Sequence, residues 1–161
     1  MIKAAILTIS DKGSRGERED KSSQVIREVI KEIDAETTLY SIVPDEKELI
    51  IEKLQEMKKE VDLILTTGGT GVGPRDVTPE ATRSVIEKEL PGYGEVMRME
   101  GFKVTPRAIG SRAIAGIAGR CLIINLPGSP KAVEECLRVI LPVIPHTIEL
   151  IKGEVGECAR K

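Results

Sequence analysis

The chain has 161 residues, 40% of them apolar and 31% charged, with a formal net charge of −2. That is the length of one domain with a substantial core and the balance of a soluble globular chain. No basic stripe interleaves with aromatics and no apolar run could cross a bilayer, so neither nucleic acid nor membrane is an expected partner.

In chain order, the segment 3–9, "KAAILTI", is a short apolar run that predicts a buried strand. A polar loop follows, and Asp20 can cap a helix reaching Ile33, with Val25, Ile26, Val29, Ile30 and Ile33 on one face. The run 37–43 predicts a second strand, ended by Pro44. Asp45, with Glu48 three residues on, resembles a capping box opening a helix that buries Leu49, Ile50, Leu54 and Met57. Residues 61–67 predict a third strand running straight into glycines. Thr78-Pro79 opens a further helix with Ala81, Val85, Ile86 and Leu90 on its stripe. The segment 92–102 predicts one helix and 105–112 a short second one. The two apolar runs flanking Gly119-Arg120 predict a β-hairpin. Ser129-Pro130 repeats the cap-plus-proline signature, and Pro142 and Pro145 should break the resulting helix before a last segment ends near Gly153. The alternation predicts an α/β fold, a three-layer α/β/α sandwich with a mostly parallel sheet and one antiparallel strand.

The opening "MIKAAILTIS" turns polar too soon for a secretory signal. Cys121, Cys136 and Cys158 are widely spaced with no CxxC pair, which suggests two core thiols and a tail thiol in a reducing cytoplasm. Asn125 is the only asparagine and Gln24 and Gln55 the only glutamines, while Lys and Glu abound, a pattern of heat-adapted proteins.

Ligands of such sheets sit beyond the carboxyl ends of the strands. Those ends carry residues 8–11, 42–46, 66–71 and 125–131, all polar or glycine-rich. Gly68, Gly69, Gly71 and Gly73 suit a backbone anion nest, with the hydroxyls of Thr67 and Thr70 beside it. The pattern is neither the Rossmann fingerprint nor a P-loop. Gly128-Ser129-Pro130 supplies a second glycine turn entering a helix, so phosphate binding is the favoured expectation. Two carboxylates, Asp45 and Asp76, beside such a cradle make electrostatic sense only with a divalent cation joining them to phosphates, as Mg²⁺ does. Asp11 and Asp20 are further candidates. His146, the single histidine, is read as structural or surface, and Met97 and Met99 as packing residues. Asn125 either orients the strand-end turn at the site or only orders it.

The stretches "LTISD", "PDE", "TTGGTGVGPRDVTPEAT", "PGYGEVMR", "SRAIAG" and "NLPGSPKAV" together resemble the MogA/MoaB family, which also includes the gephyrin G domain. The resemblance covers residues 3–153 in the family's order, and on it the whole chain, 1–161, is taken as a single molybdopterin-binding domain. It implies a homotrimer and transfer of AMP from Mg-ATP to the terminal phosphate of molybdopterin, with release of pyrophosphate. It also implies handing the product to a protein that inserts molybdate. By motif, Asp45 and Asp76 match the family's two functional aspartates, Asp76 with the Mg²⁺ role. Gly68, Gly69, Thr70, Gly71, Gly128 and Ser129 would cradle phosphate. Ser10 and Asp11 would border the pocket, with Ser111 and Arg112 as the family's Ser-Arg pair. The sequence departs from the family at Ser23, Gly101 and Gly110. The alternative within the resemblance is a MoaB-like pterin-binding or assembly protein without significant catalysis.

Overall fold

A computed structural model describes residues 1–154, in which six strands form one sheet. Along the chain these elements begin β1 (Ile2–Ile9), a one-turn α1 (Asp11–Ser14), α2 (Lys21–Ile30), β2 (Ala35–Val43), α3 (Lys47–Met57) and β3 (Leu63–Thr67). They continue with α4 (Thr78–Arg83), β4 (Lys88–Glu89), α5 (Pro91–Val104), β5 (Ala115–Ala118), β6 (Cys121–Leu126), α6 (Pro130–Ile140) and α7 (Ile144–Lys152). The strand order is β2-β1-β3-β6-β5-β4. The first four run parallel, and β5 is antiparallel to both of its neighbours.

The central strands read as unbroken apolar runs because both of their faces are covered. Ala4 and Ile6 of β1 join Leu65 and Ile124 in a core under α2, α5, α6 and α7, which contribute Ile26, Met97, Leu137 and Ile148. Their chain neighbours Ala5 and Leu7 join Ile64 and Ile123 in a second core against Ile50 and Leu54 of α3 and Ala81 of α4. Each such fully buried Ile or Leu contributes about 1.5–3 kcal/mol, so burial on both sides fixes the strand register. That register pairs Ile9 with Val43, Thr8 with Thr67, and Thr67 with Leu126, so four parallel strands finish level. The chain leaves β1 for a helix on one face and β3 for a helix on the other. The crevice between these two strand ends is the topological switch point, where α/β folds place ligands.

The antiparallel strand and the hairpin form as read, with Gly119 in the left-handed region at φ 62°. Pro142 ends α6, a 3-10 turn follows, and α7 closes at Gly153 with φ 72°. Several local expectations change. The polar loop after β1 contains α1. Helix α2 stops at Ile30, and one 3-10 turn carries the chain to Ile33, because Asp34 takes a left-handed φ of 54°. The capping box at Asp45 does not form: Glu46 is the helix boundary, without a side-chain cap, and the Asp45 carboxylate turns away to Asp11. Leu49 lies on the exposed side of α3. Thr78 is the first residue inside α4 rather than its cap, which is Val77, and α4 ends at Arg83, so Val85 is buried from a turn and Leu90 precedes α5. Met99 is 67% exposed, whereas Met97 packs in the core. Cys121 is buried, Cys136 is only half-buried, and Cys158 lies outside the described residues.

Candidate active site

Beyond the level strand ends lies a cleft of two lobes, about 550 and 700 Å³ in volume. Gly69, Asp76 and Gly128 line both lobes and form the edge between them. Thr70, Gly71, Ser111, Gly101, Gly110 and Cys136 line the first. Ser10, Asp20, Ser22, Asp45, Gly68 and Ser129 line the second.

The glycines of the 68–73 loop are required first by the protein's own atoms. A side chain on Gly68, at φ 99°, would collide with the Ile9 carbonyl oxygen. One on Gly69, at φ 68°, would collide with the Thr78 hydroxyl. Cβ atoms on Gly71 or Gly73 would each lie 2.9 Å from the Asp76 carboxylate. The loop therefore wraps Asp76 closely, and the Gly73 N–H donates to Asp76 Oδ2 at 2.9 Å. Thr78 anchors the start of the loop by donating its hydroxyl to the Gly68 carbonyl at 2.9 Å. The Thr67 hydroxyl donates to the Pro127 carbonyl at 2.6 Å, which commits it to joining the two glycine turns.

Asp45 shares the second lobe with Asp76, and its Oδ1 would lie 3.2 Å from a Cβ on Gly69. Its N–H donates to Asp11 Oδ1 and the Asp11 N–H donates to Asp45 Oδ2, each at 3.0 Å. Arg75 grips Asp11 with two hydrogen bonds, at 3.0 and 2.8 Å. This asymmetry separates the two carboxyls. The Arg75 fork holds Asp11 below the usual range, with the Asp45 N–H assisting. Burial, followed by the charges of Asp11 and Asp76, pushes Asp45 above it, against the pull of the Asp11 N–H. A partly desolvated carboxylate facing other carboxylates is a place where a cation would relieve repulsion. Among the described residues no three acidic, His or Cys side chains are arranged to hold a metal. Asp45 and Asp76 both line the second lobe, and one or two carboxylates are what Mg²⁺ carried on phosphates takes from a protein.

The remaining candidates divide by position. Ser10 caps α1, its Oγ accepting from the Gly13 N–H at 2.9 Å, and Ser129 caps α6 by accepting from the Ala132 N–H at 3.3 Å. Both residues stay on the wall of the second lobe. Asp11 and Arg112 are absent from both walls, and their side chains brace the loops from behind. Asn125 is fully buried: its Oδ1 accepts from the Ile114 N–H at 3.2 Å, and its amide donates to the hydroxyls of Thr66 and Thr82 at 3.0 and 2.9 Å. It orders the strand ends and does not line the cleft. His146 lies on α7 with Nδ1 3.7 Å from Glu149, away from both lobes. Burial pushes the Cys136 thiol up to about 11, so it lines the first lobe as a neutral group.

Sequence reasoning missed several neighbours. Asp20 accepts from the hydroxyls of Thr8 and Tyr40 and from the Ser23 N–H. Burial alone would raise its pKa, and these bonds outweigh that, holding it below the usual carboxylate range. Ser23 completes this cap, so its departure from the family pattern is accommodated. Ser22 donates to the Gly128 carbonyl at 2.7 Å, fastening α2 to the second glycine turn. Arg98 donates to the Ala113 carbonyl at 2.8 Å. A Cβ on Gly101 would come within 2.9 Å of the Ala108 methyl, so glycine there lets the turn after α5 fold back over the first lobe. The Arg-Asp pair at 75–76 was a usable signal for Arg75, and the Asp20 cap was read from its spacing; the contacts of Asp20 with Tyr40, Ser22 with Gly128 and Arg98 with Ala113 depend on how separate elements pack.

With this geometry in place, comparison with known proteins places the chain. The model of the "Probable molybdopterin binding domain" family matches residues 5–146. The chain is 48% identical over 164 aligned residues to a molybdopterin adenylyltransferase of Helicobacter pylori, covering 99% of this chain and 93% of that protein. It is 41% identical to molybdenum cofactor biosynthesis protein B of Bacillus cereus, covering 92% of this chain and 90% of that one. The crystal structure of the molybdopterin biosynthesis enzyme MoaB from Thermus thermophilus superposes with a TM-score of 0.90 at 50% identity, covering 95% of this chain and 98% of that one.

Proposed function

This chain belongs to the molybdopterin-binding domain family of molybdenum cofactor biosynthesis, and we propose that it is a nucleotidyltransferase moving AMP from Mg-ATP to the phosphate of molybdopterin. The observation that carries this reading is the pair of lobes sharing the edge Gly69–Asp76–Gly128. Two organic groups, each with a phosphate end, can occupy one lobe apiece and meet at that edge.

In the transfer, a phosphate oxygen of molybdopterin attacks the α-phosphorus of ATP, a new P–O bond forms, and the bond to the departing pyrophosphate breaks. The nucleophile is already anionic at neutral pH, so no general base is required. The protein's task is to hold two anions in line and to offset charge on the phosphates. The Gly69 N–H and the N-terminus of α6 at the second lobe supply preorganised positive dipoles. Asp45 and Asp76 would hold Mg²⁺ at the second lobe, where it would neutralise phosphate charge.

The chain also exposes Met99, Phe102, Val104 and Ile109 on α5 and the turn beyond it. We read this apolar face as a subunit contact of the homotrimer that the family resemblance implies. The product would then pass to a partner that inserts the metal.

The test uses purified protein, molybdopterin and Mg-ATP, following adenylylated pterin and pyrophosphate together. The reading expects the two in equal amounts, with both lost when magnesium is chelated. Pterin binding without pyrophosphate would overturn it and favour a binding protein instead.

A further inference from the structure

Arg112 comes from a segment distant in sequence, yet it holds the glycine-rich loop at both ends. Its N–H donates to the Thr70 carbonyl at 2.8 Å, its Nε to the Gly71 carbonyl at 2.7 Å, and its Nη2 to the Asp76 carbonyl at 2.7 Å. Its Nη1 pairs with Glu80 Oε1 on α4. The guanidinium is planar and rigid, so these bonds fix the separation of the Gly71 and Asp76 carbonyls. Inside that span, the Gly73 N–H sets the Asp76 carboxylate. Glu80 is an unusual choice for a merely stabilising pair, because its second oxygen is buried with no partner among the described residues.

We propose that Arg112 and Glu80 are positioning residues: a guanidinium clamp, braced by Glu80, that fixes the 70–76 loop and thereby aims Asp76 at the edge between the lobes. This rests on the adenylyltransferase reading of the cleft. Arg112 lines neither lobe; its Nε and Nη2 donate to the loop and its Nη1 to Glu80. Lysine keeps the charge but offers one nitrogen, which cannot bridge two carbonyls and a carboxylate at fixed separation.

Arg112→Lys and Glu80→Gln test the clamp, each made in the parent and in an Asp76→Asn background. Displacing a catalytic group by about 1 Å costs on the order of 100-fold in rate. Arg112→Lys should therefore lower kcat by roughly that factor, and Glu80→Gln by less. In the Asp76→Asn background, Arg112→Lys should cost less than about threefold more, since residues acting as a unit are not additive. Hydrogen exchange of the 70–77 segment should quicken in both variants while exchange in β3 and β6 stays unchanged. Full turnover in Arg112→Lys, or an equal further loss in the Asp76→Asn background, would overturn the clamp. If the parent released no pyrophosphate, the adenylyltransferase reading would fail by itself. Exchange of the 70–77 segment would then decide the clamp alone, and unchanged exchange would overturn it.

Discussion

Asp45, Asp76 and Asp20 are all carboxylates of one cleft, but their surroundings give them different consequences. Asp45 is raised by burial and by the charges of Asp11 and Asp76. Its folded form holds a proton more tightly than the unfolded chain, so its contribution to stability declines as pH rises through the folded value. Asp45→Asn should therefore be more stable than the parent at pH 7, by about 0.5–2 kcal/mol, and the difference should vanish in melts below the ordinary carboxylate range. The same variant should lose at least about 100-fold in adenylylation, the scale for removing one electrostatic contributor. Asp20 behaves oppositely. Its carboxyl is lowered overall despite burial, so its contribution is full above the ordinary carboxylate range and is lost as pH falls through the folded value. Thermal melts of Asp20→Asn against pH should show a flatter acid limb than the parent. The placement of Asp45 and Asp76 at the cleft was legible because Asp45 follows Pro44 at a strand end and Asp76 closes the glycine-rich turn beyond another. Thr78, which with Pro79 reads as the opening of α4, lies inside the helix, and Val77 begins it without a side-chain cap. The Asp20–Tyr40 contact was not legible: it depends on how β2 is registered against β1, which no local spacing encodes.

The glycine turns separate the demands of folding from those of the site. Gly68 combines a φ of 99° with contact against the Ile9 carbonyl. Gly68→Ala should cost about 1–3 kcal/mol or more and lower the melting temperature, whatever ligand is bound. At Gly128 the nearest atom to a new Cβ is the Gly68 Cα at 3.6 Å, an ordinary contact. Gly128→Ala should melt with the parent yet slow adenylylation, because its methyl intrudes on the edge common to both lobes. A parent-like rate in Gly128→Ala would show that the substrates do not meet there. The parallel strands and the hairpin could be read from apolar runs because they are buried on both faces. Strand β4 could not, since Lys88 and Glu89 are exposed and carry no apolar alternation. The early end of α4 was hidden for a related reason: Val85 is buried as the helical stripe predicts, but from a turn.

At the scale of the molecule, two helical layers hold four strand ends level, and the switch point between β1 and β3 receives loops from both faces. The alternation of strands and helices carried this architecture in the sequence, whereas the division of the cleft into two lobes arose only when α5 and its following turn folded over the strand ends. Self-association belongs to this scale as well. Light scattering on the purified protein should give three times the chain mass of 17.5 kDa, and a charged residue at Phe102 should shift the distribution toward monomer. The account depends most on the claim that two substrates meet at Gly69, Asp76 and Gly128. The most direct measurement is a crystal structure with the adenylylated pterin bound. The account predicts the phosphoanhydride across that edge, with adenosine in one lobe and the pterin in the other; a product lying wholly within one lobe would contradict it.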